Sequence, residues 1–133
     1  MSRRTSQLTG RIVGVRGFRK PRLVIQRDED DPDVRYYSVN RRLMPVGQML
    51  EIGQISESIA ALTEKVSLEV KNLCYELLRI EGVEEISVEG YCIFIQKGAA
   101  YTWLSIDPKI CSAVGQQLFA IERRQLKVVR RTR

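Results

Sequence analysis

Residues 83–97 read VEEISVEGYCIFIQK, and the hydrophobic pattern changes at Gly90. Before the glycine, Ile86 and Val88 alternate with Glu85, Ser87 and Glu89. Side chains in a strand alternate sides, so this half predicts a strand with one wet face. After the glycine, Tyr91, Ile93 and Ile95 interleave with Cys92 and Phe94, which makes both faces apolar. The pair predicts a hairpin with Glu89-Gly90 at its tip. Its second strand is expected to be interior to a sheet.

Helical spacing brackets this hairpin. Val66, Val70, Leu73, Leu77 and Ile80 recur at steps of four, three, four and three, one face of a helix that Gly82 is expected to cap. A second helix is expected from Asp107-Pro108, an N-cap followed by a first helical proline, with Ile110, Val114, Leu118 and Ile121 as its stripe. Upstream, strands are predicted over 23–27 and 34–40 around the acidic turn DEDDPD, with a weaker strand over 11–15. LMPVG turns the chain into a short strand over 48–52. Strand, strand, short strand, helix, hairpin, helix predicts an α+β fold, a two-layer sandwich of antiparallel sheet with two helices on one face. Ile93 and Ile95 then meet the helices. Cys92 and Phe94 lie on the far face, under residues 11–21 or a partner.

Charge divides the chain differently. Residues 1–27 carry eight Lys/Arg and no acid, 28–122 carry eight against all sixteen acids, and 123–133 carry six and no acid. The middle is therefore 8 − 16 = −8 between two basic ends. Such blocks predict solvated arms that meet an oppositely charged partner. RNA or DNA is one such partner, reached through Arg16, Arg19, Lys20, Arg22, Arg123, Arg124, Lys127, Arg130 and Arg131. Solubilising tails, or a patch that docks on the chain's own acidic middle, are the competing readings.

The length of 133 residues suits one domain. No apolar run has the length of a membrane span, and the basic start lacks a signal-peptide core, so no membrane role is expected. Three cysteines make no disulfide framework, which points to the cytoplasm. Histidine is absent, so the commonest general base and metal ligand are missing and a non-enzymatic role is expected. Cys74 and Cys111 flank helical stripes and read as buried small hydrophobes. Cys92 is the one cysteine left as a metal-ligand candidate, against burial as the alternative. Glu84 and Glu85 face opposite ways, and the acidic turn lacks the pattern of a calcium loop. Gly10, Gly14 and Gly17 are too far apart for a phosphate loop.

Several spaced motifs run in one order. VIQ (24–26) leads to Asp31-Pro32-Asp33 and then Tyr37, and Leu43-Met44-Pro45-Val46-Gly47 follows. Leu73-Cys74, Leu77-Leu78 and Ile80-Glu81-Gly82-Val83 come next, then Cys92 to Lys97, then Trp103 to Pro108 with Ile110 after it. Residues 24–118 thereby resemble the N-terminal domain of the Nfu/NifU family of iron–sulfur cluster scaffold proteins. The family's full-length members add a C-terminal domain whose Cys-x-x-Cys holds the cluster, and this chain has neither. Cys74 falls where the family has alanine and Cys92 where it has phenylalanine. Asp replaces both asparagines of the first turn, and Thr102 replaces the aspartate before the tryptophan.

The resemblance implies an Nfu N-terminal-like domain over 22–122, and the charge blocks, which are not part of the family pattern, add a basic extension over 1–21, expected to be partly disordered, and a basic tail over 123–133. The resemblance also implies a protein-interaction domain in iron–sulfur cluster assembly or delivery, whose partners are assembly or client proteins. The link to clusters is indirect, with no recognisable cofactor site. Cys92, Phe94, Tyr101 and Trp103 are the expected partner contacts. The alternative is a nucleic-acid-binding module using the basic arms. The sequence sets no oligomeric state.

Overall fold

A computed structural model describes residues 20–53 and 66–131. The expected strand over 11–15 lies outside these. Strands β1 (Arg22–Arg27), β2 (Val34–Val39) and β3 (Met49–Ile52) precede helix α1 (Leu68–Leu78). The hairpin β4 (Val83–Glu89) and β5 (Cys92–Lys97) follows, then α2 (Trp103–Phe119), a 3-10 turn (Arg123–Gln125) and β6 (Lys127–Arg131). The six strands form one sheet in the order β3-β4-β5-β2-β1-β6. Both helices cover one face, as the hydrophobic pattern predicts. Among the described residues no helix is long and apolar enough to cross a membrane.

The alternation works as read. Leu23, Ile25, Tyr37, Val39, Ile86, Val88, Ile93 and Ile95 are all buried on the helix side of the sheet. They meet Val70, Leu73, Cys74 and Leu77 of α1 and Ile106, Ile110, Val114 and Leu118 of α2 in one core. A side chain buried this fully contributes about 1.5–3 kcal/mol relative to an exposed one. Cys92, Phe94, Tyr36 and Ser38 take the opposite face and are half-buried.

Three expectations change. First, α1 is shorter than its stripe. Ser67 caps it by accepting the Val70 N–H at 3.3 Å, and it ends at Leu78 with Arg79 as a right-handed cap. Val66 and Ile80 pack on the core from outside the helix. Gly82 has φ +103, but it serves the turn into β4. Second, α2 starts at Trp103 behind Thr102, one turn before the expected Asp107-Pro108. Pro108 lacks an N–H for the carbonyl of Leu104, which sits at the solvent-facing start of the helix where water can serve it. Asp107 is buried and does not cap.

Third, the basic C-terminal segment is not a free tail through its described length. Val128 and Val129 carry it onto the sheet as β6, parallel to β1, with Leu23 against Val128 and Val24 against Val129. The remaining pairs are antiparallel. The hairpin loop is Gly90-Tyr91, since Glu89 still pairs with Cys92, and Gly90 takes φ +59. The acidic turn forms as expected. The Asp28 carboxylate accepts the N–H groups of Asp30 and Asp31 at 3.0 and 2.8 Å and the Tyr36 hydroxyl.

Candidate interaction surfaces

The four expected contact residues separate onto two surfaces. Cys92 and Phe94 lie together on the helix-free face of the sheet, where the Phe94 ring meets Tyr36 edge-on at 5.0 Å between centroids. Tyr101 and Trp103 lie at the start of α2, and the sequence gives no sign of what that position gathers.

Asp107, one turn into α2, is the centre of that gathering. Its carboxylate accepts Arg35 Nη1 at 2.5 Å, Arg130 Nη1 at 2.8 Å and the Tyr37 hydroxyl. Strands β2 and β6 and helix α2 are thus tied at one point. Burial, and then the Asp107 carboxylate, hold the Tyr37 phenol far above its ordinary value, so it stays a donor. The Arg35 guanidinium lies 4.9 Å from the centre of the Trp103 ring and Lys97 Nζ 5.9 Å from it. Trp103 Nε1 donates to the Pro32 carbonyl at 2.8 Å, and Lys97 Nζ binds Asp33 at 2.7 Å. The acidic turn and the helix start therefore hold the indole in place.

Leu104, next along the helix, is 87% exposed. It borders a shallow groove of about 430 Å³ formed with Arg35, Trp103, Asp107, Pro108 and Arg130. Tyr101 stands nearby in sequence, its hydroxyl donating to Glu81 at 3.3 Å, and the Glu81 charge raises its phenol. A fixed indole, two guanidinium groups and a bare leucine suit a protein contact, because Trp and Arg are the residues that most often dominate interfaces. Leu104 carries no sequence signal beyond its place next to Trp103.

The three thiols lie on two sides of the sheet. Burial pushes Cys74 up to about 12 and raises Cys111, both in the helix layer. Burial also raises Cys92, which lies across the sheet from them. Cluster ligands must be thiolates. Among the described residues no three Cys, Asp or Glu side chains converge as a metal site. With a disulfide reagent at about pH 8, Cys92 is expected to react first and slowly, and Cys74 and Cys111 only on unfolding. Three thiols reacting at the rate of free cysteine would contradict this burial.

The expected nucleic-acid contacts also scatter. Arg22, Lys127 and Arg131 share the helix-free face, as their register with Val24 and Val129 requires. Arg130 points to the opposite side and is bound to Asp107. Arg123 and Arg124 lie on the 3-10 turn, with Arg124 paired to Glu122 at 2.8 Å. Lys20 lies just before β1, where Asn40 binds its carbonyl at 2.9 Å. Arg16 and Arg19 fall outside the described residues.

No protein-family model matches the chain, and no curated protein matches it. Among solved structures, the solution NMR structure of a NifU-like protein from Saccharomyces cerevisiae is similar with a TM-score of 0.54. The match covers 92% of this chain and 95% of that one at 14% identity. The fold is NifU-like. A crystal structure of protein SAV1430 from Staphylococcus aureus matches 63% of this chain and 87% of its own, with 14% identity and a TM-score of 0.48. The NifU-like fold sets the sheet and the two helices. The Trp103–Leu104 rim and the charges on the helix-free face are matters of side chain, which a likeness of fold at 14% identity does not specify.

Proposed function

We propose that this chain is a non-enzymatic protein-interaction domain in iron–sulfur cluster assembly or delivery, which docks a partner on the Trp103–Leu104 rim of α2. The observation that carries the reading is Leu104, 87% exposed beside an indole and two arginines already held in place. Burying one such leucine at an interface is worth about 1.5–3 kcal/mol, and preorganised neighbours lower the ordering cost. The link to cluster assembly rests on the ordered motifs over 24–118 and on the NifU-like fold. Cys74 and Cys111 inside the core and Cys92 on the opposite face of the sheet support a domain that contacts a cluster-bearing or cluster-receiving protein while the cluster stays on that partner.

Affinity capture with the full chain tests this reading. The immobilised chain is expected to enrich iron–sulfur assembly or client proteins, and Leu104→Asp to reduce their recovery at least about tenfold, since a buried unpaired charge at an interface costs more than 1.4 kcal/mol. The Asp variant is expected to melt with the parent, because residue 104 is solvent-exposed. Recovery unchanged by Leu104→Asp, or enrichment of proteins unrelated to clusters, would overturn it.

A further inference from the structure

The face of the sheet away from the helices carries an ordered arrangement of charges. Strand register aligns its side chains in rows across the strands. One row runs Glu51, Ser87, Phe94, Tyr36, Gln26, Arg131 from β3 to β6. Acids occupy one side of this face, with Glu85 and Glu89 on β4 joining Glu51. Cations predominate on the other, with Arg22 on β1 and Lys127 on β6 joining Arg131, and Asp28, bonded to the Tyr36 hydroxyl, stands among them just past the end of β1. All six on the strands are exposed, and half-buried aromatic and small side chains lie between them. Among the described residues no helix or second sheet covers this face.

We propose that this face pairs with the same face of a second copy of the chain. A two-fold axis parallel to the strands, between β5 and β2, would place β6 over the second copy's β3 and β1 over its β4. Arg131 then opposes the second copy's Glu51, and Tyr36 opposes its Phe94. Val24 lies over its Glu89, with Arg22 and Lys127 one row beyond, and Asp28 at the other end of β1 comes toward its Glu85. Each contact occurs twice, which is what an isologous dimer requires. The charge pattern selects this pairing: a nucleic acid would meet three carboxylates on half of the face, and an acidic protein would meet the same three. Stacked sheets of this kind pack about 10 Å apart. Six strands about 4.8 Å apart and about five residues long give a footprint of roughly 480 Å². That is below the ~800 Å² per partner of a standard stable interface, so association in the range of roughly 10–100 µM is expected. The pairing goes beyond the proposed function and leaves the Leu104 rim on the outer, helical side free.

Sedimentation equilibrium of the full chain from about 5 to about 500 µM tests it, since that range brackets the affinity expected of so small an interface. The parent is expected to pass from monomer to dimer. Raising salt from about 0.05 to about 0.5 M is expected to weaken the dimer about tenfold, because the flanking charges are exposed and screened. Glu51→Lys with Glu89→Lys makes the face basic, and Arg22→Glu with Arg131→Glu makes it acidic. Each double variant alone is expected to be monomeric, and an equimolar mixture to form the mixed dimer. A parent that stays monomeric throughout overturns the proposal, whether the face proves to be covered by residues 1–19 or to bind a single-stranded oligonucleotide. So does a dimer indifferent to salt, or a mixture of folded variants that does not associate. None of these outcomes bears on capture through Leu104.

Discussion

Replacing Asp107 by alanine is expected to cost the fold about 3 kcal/mol or more, the range found when one partner of a buried ion pair is removed. The side chain is only 7% exposed and accepts three donors from two strands. Without it, the Arg35 guanidinium, 18% exposed, loses its carboxylate, and the fully buried Tyr37 hydroxyl loses its acceptor. An orphaned buried hydroxyl alone costs about 1–3 kcal/mol. Arg130 is half-exposed and can turn to water, so its share is smaller. Asp107→Asn keeps an acceptor for Tyr37 and loses the charge, so an intermediate loss is expected. Arg130→Ala is expected to cost about 1 kcal/mol, within the range for a partly exposed pair. Urea unfolding midpoints check the order alanine, asparagine, Arg130→Ala. A loss below about 1 kcal/mol for Asp107→Ala would mean that the cluster does not hold α2 to the sheet.

Gly82→Ala is expected to destabilise by about 2–4 kcal/mol, through two separable causes. The backbone at φ +103 is outside the range that an L side chain adopts at ease. An added Cβ would also lie 2.8 Å from the Tyr101 ring and 2.9 Å from Ile106 Cδ1. Ile106 is buried in the core and cannot retreat freely. Gly90→Ala separates the causes, because Gly90 has φ +59 but nothing within 4 Å of the added Cβ. There about 1–2 kcal/mol of backbone cost alone is expected. Equal losses at the two glycines would show that the close approach of Tyr101 and Ile106 has no energetic weight. Both residues sit at the start of α2, so Gly82→Ala is also expected to weaken capture through Leu104.

Local pattern made the sheet legible. Period two in β4 and β5 identified which residues face the core, and Ile93 and Ile95 are fully buried as that pattern requires. The apolar second face of β5 was legible as well, but its cause was not: Phe94 packs on Tyr36 across β2, on a face that the described helices leave open. What failed depended on distant partners. Asp107-Pro108 reads as a helix start because aspartate usually caps and proline usually begins. Only the fold reveals that Asp107 is 72 positions from Arg35 and yet bonded to it. Gly82 reads as a helix cap because glycine after a stripe commonly is one, whereas its neighbours are Tyr101 and Ile106. In KVVRR the three charges outweigh the two valines, and pairing with β1 is what makes it a strand.

The candidate site was half legible for the same reason. Aromatic identity singled out Trp103, since its size and indole N–H make it a natural anchor. Leu104 could not be separated from a core leucine until the helix start moved back to Trp103 and turned it outward. Its flanking arginines arrive from β2 and β6, more than twenty positions away on either side.

Anaerobic reconstitution with iron and sulfide tests most directly whether this domain contacts a cluster's carrier or is itself the carrier. No charge-transfer absorption that survives desalting is expected, because Cys74 and Cys111 are fully buried and the sheet separates the half-buried Cys92 from both. A chromophore that persists in the parent and disappears in Cys92→Ser would contradict this and make the chain a carrier through that cysteine.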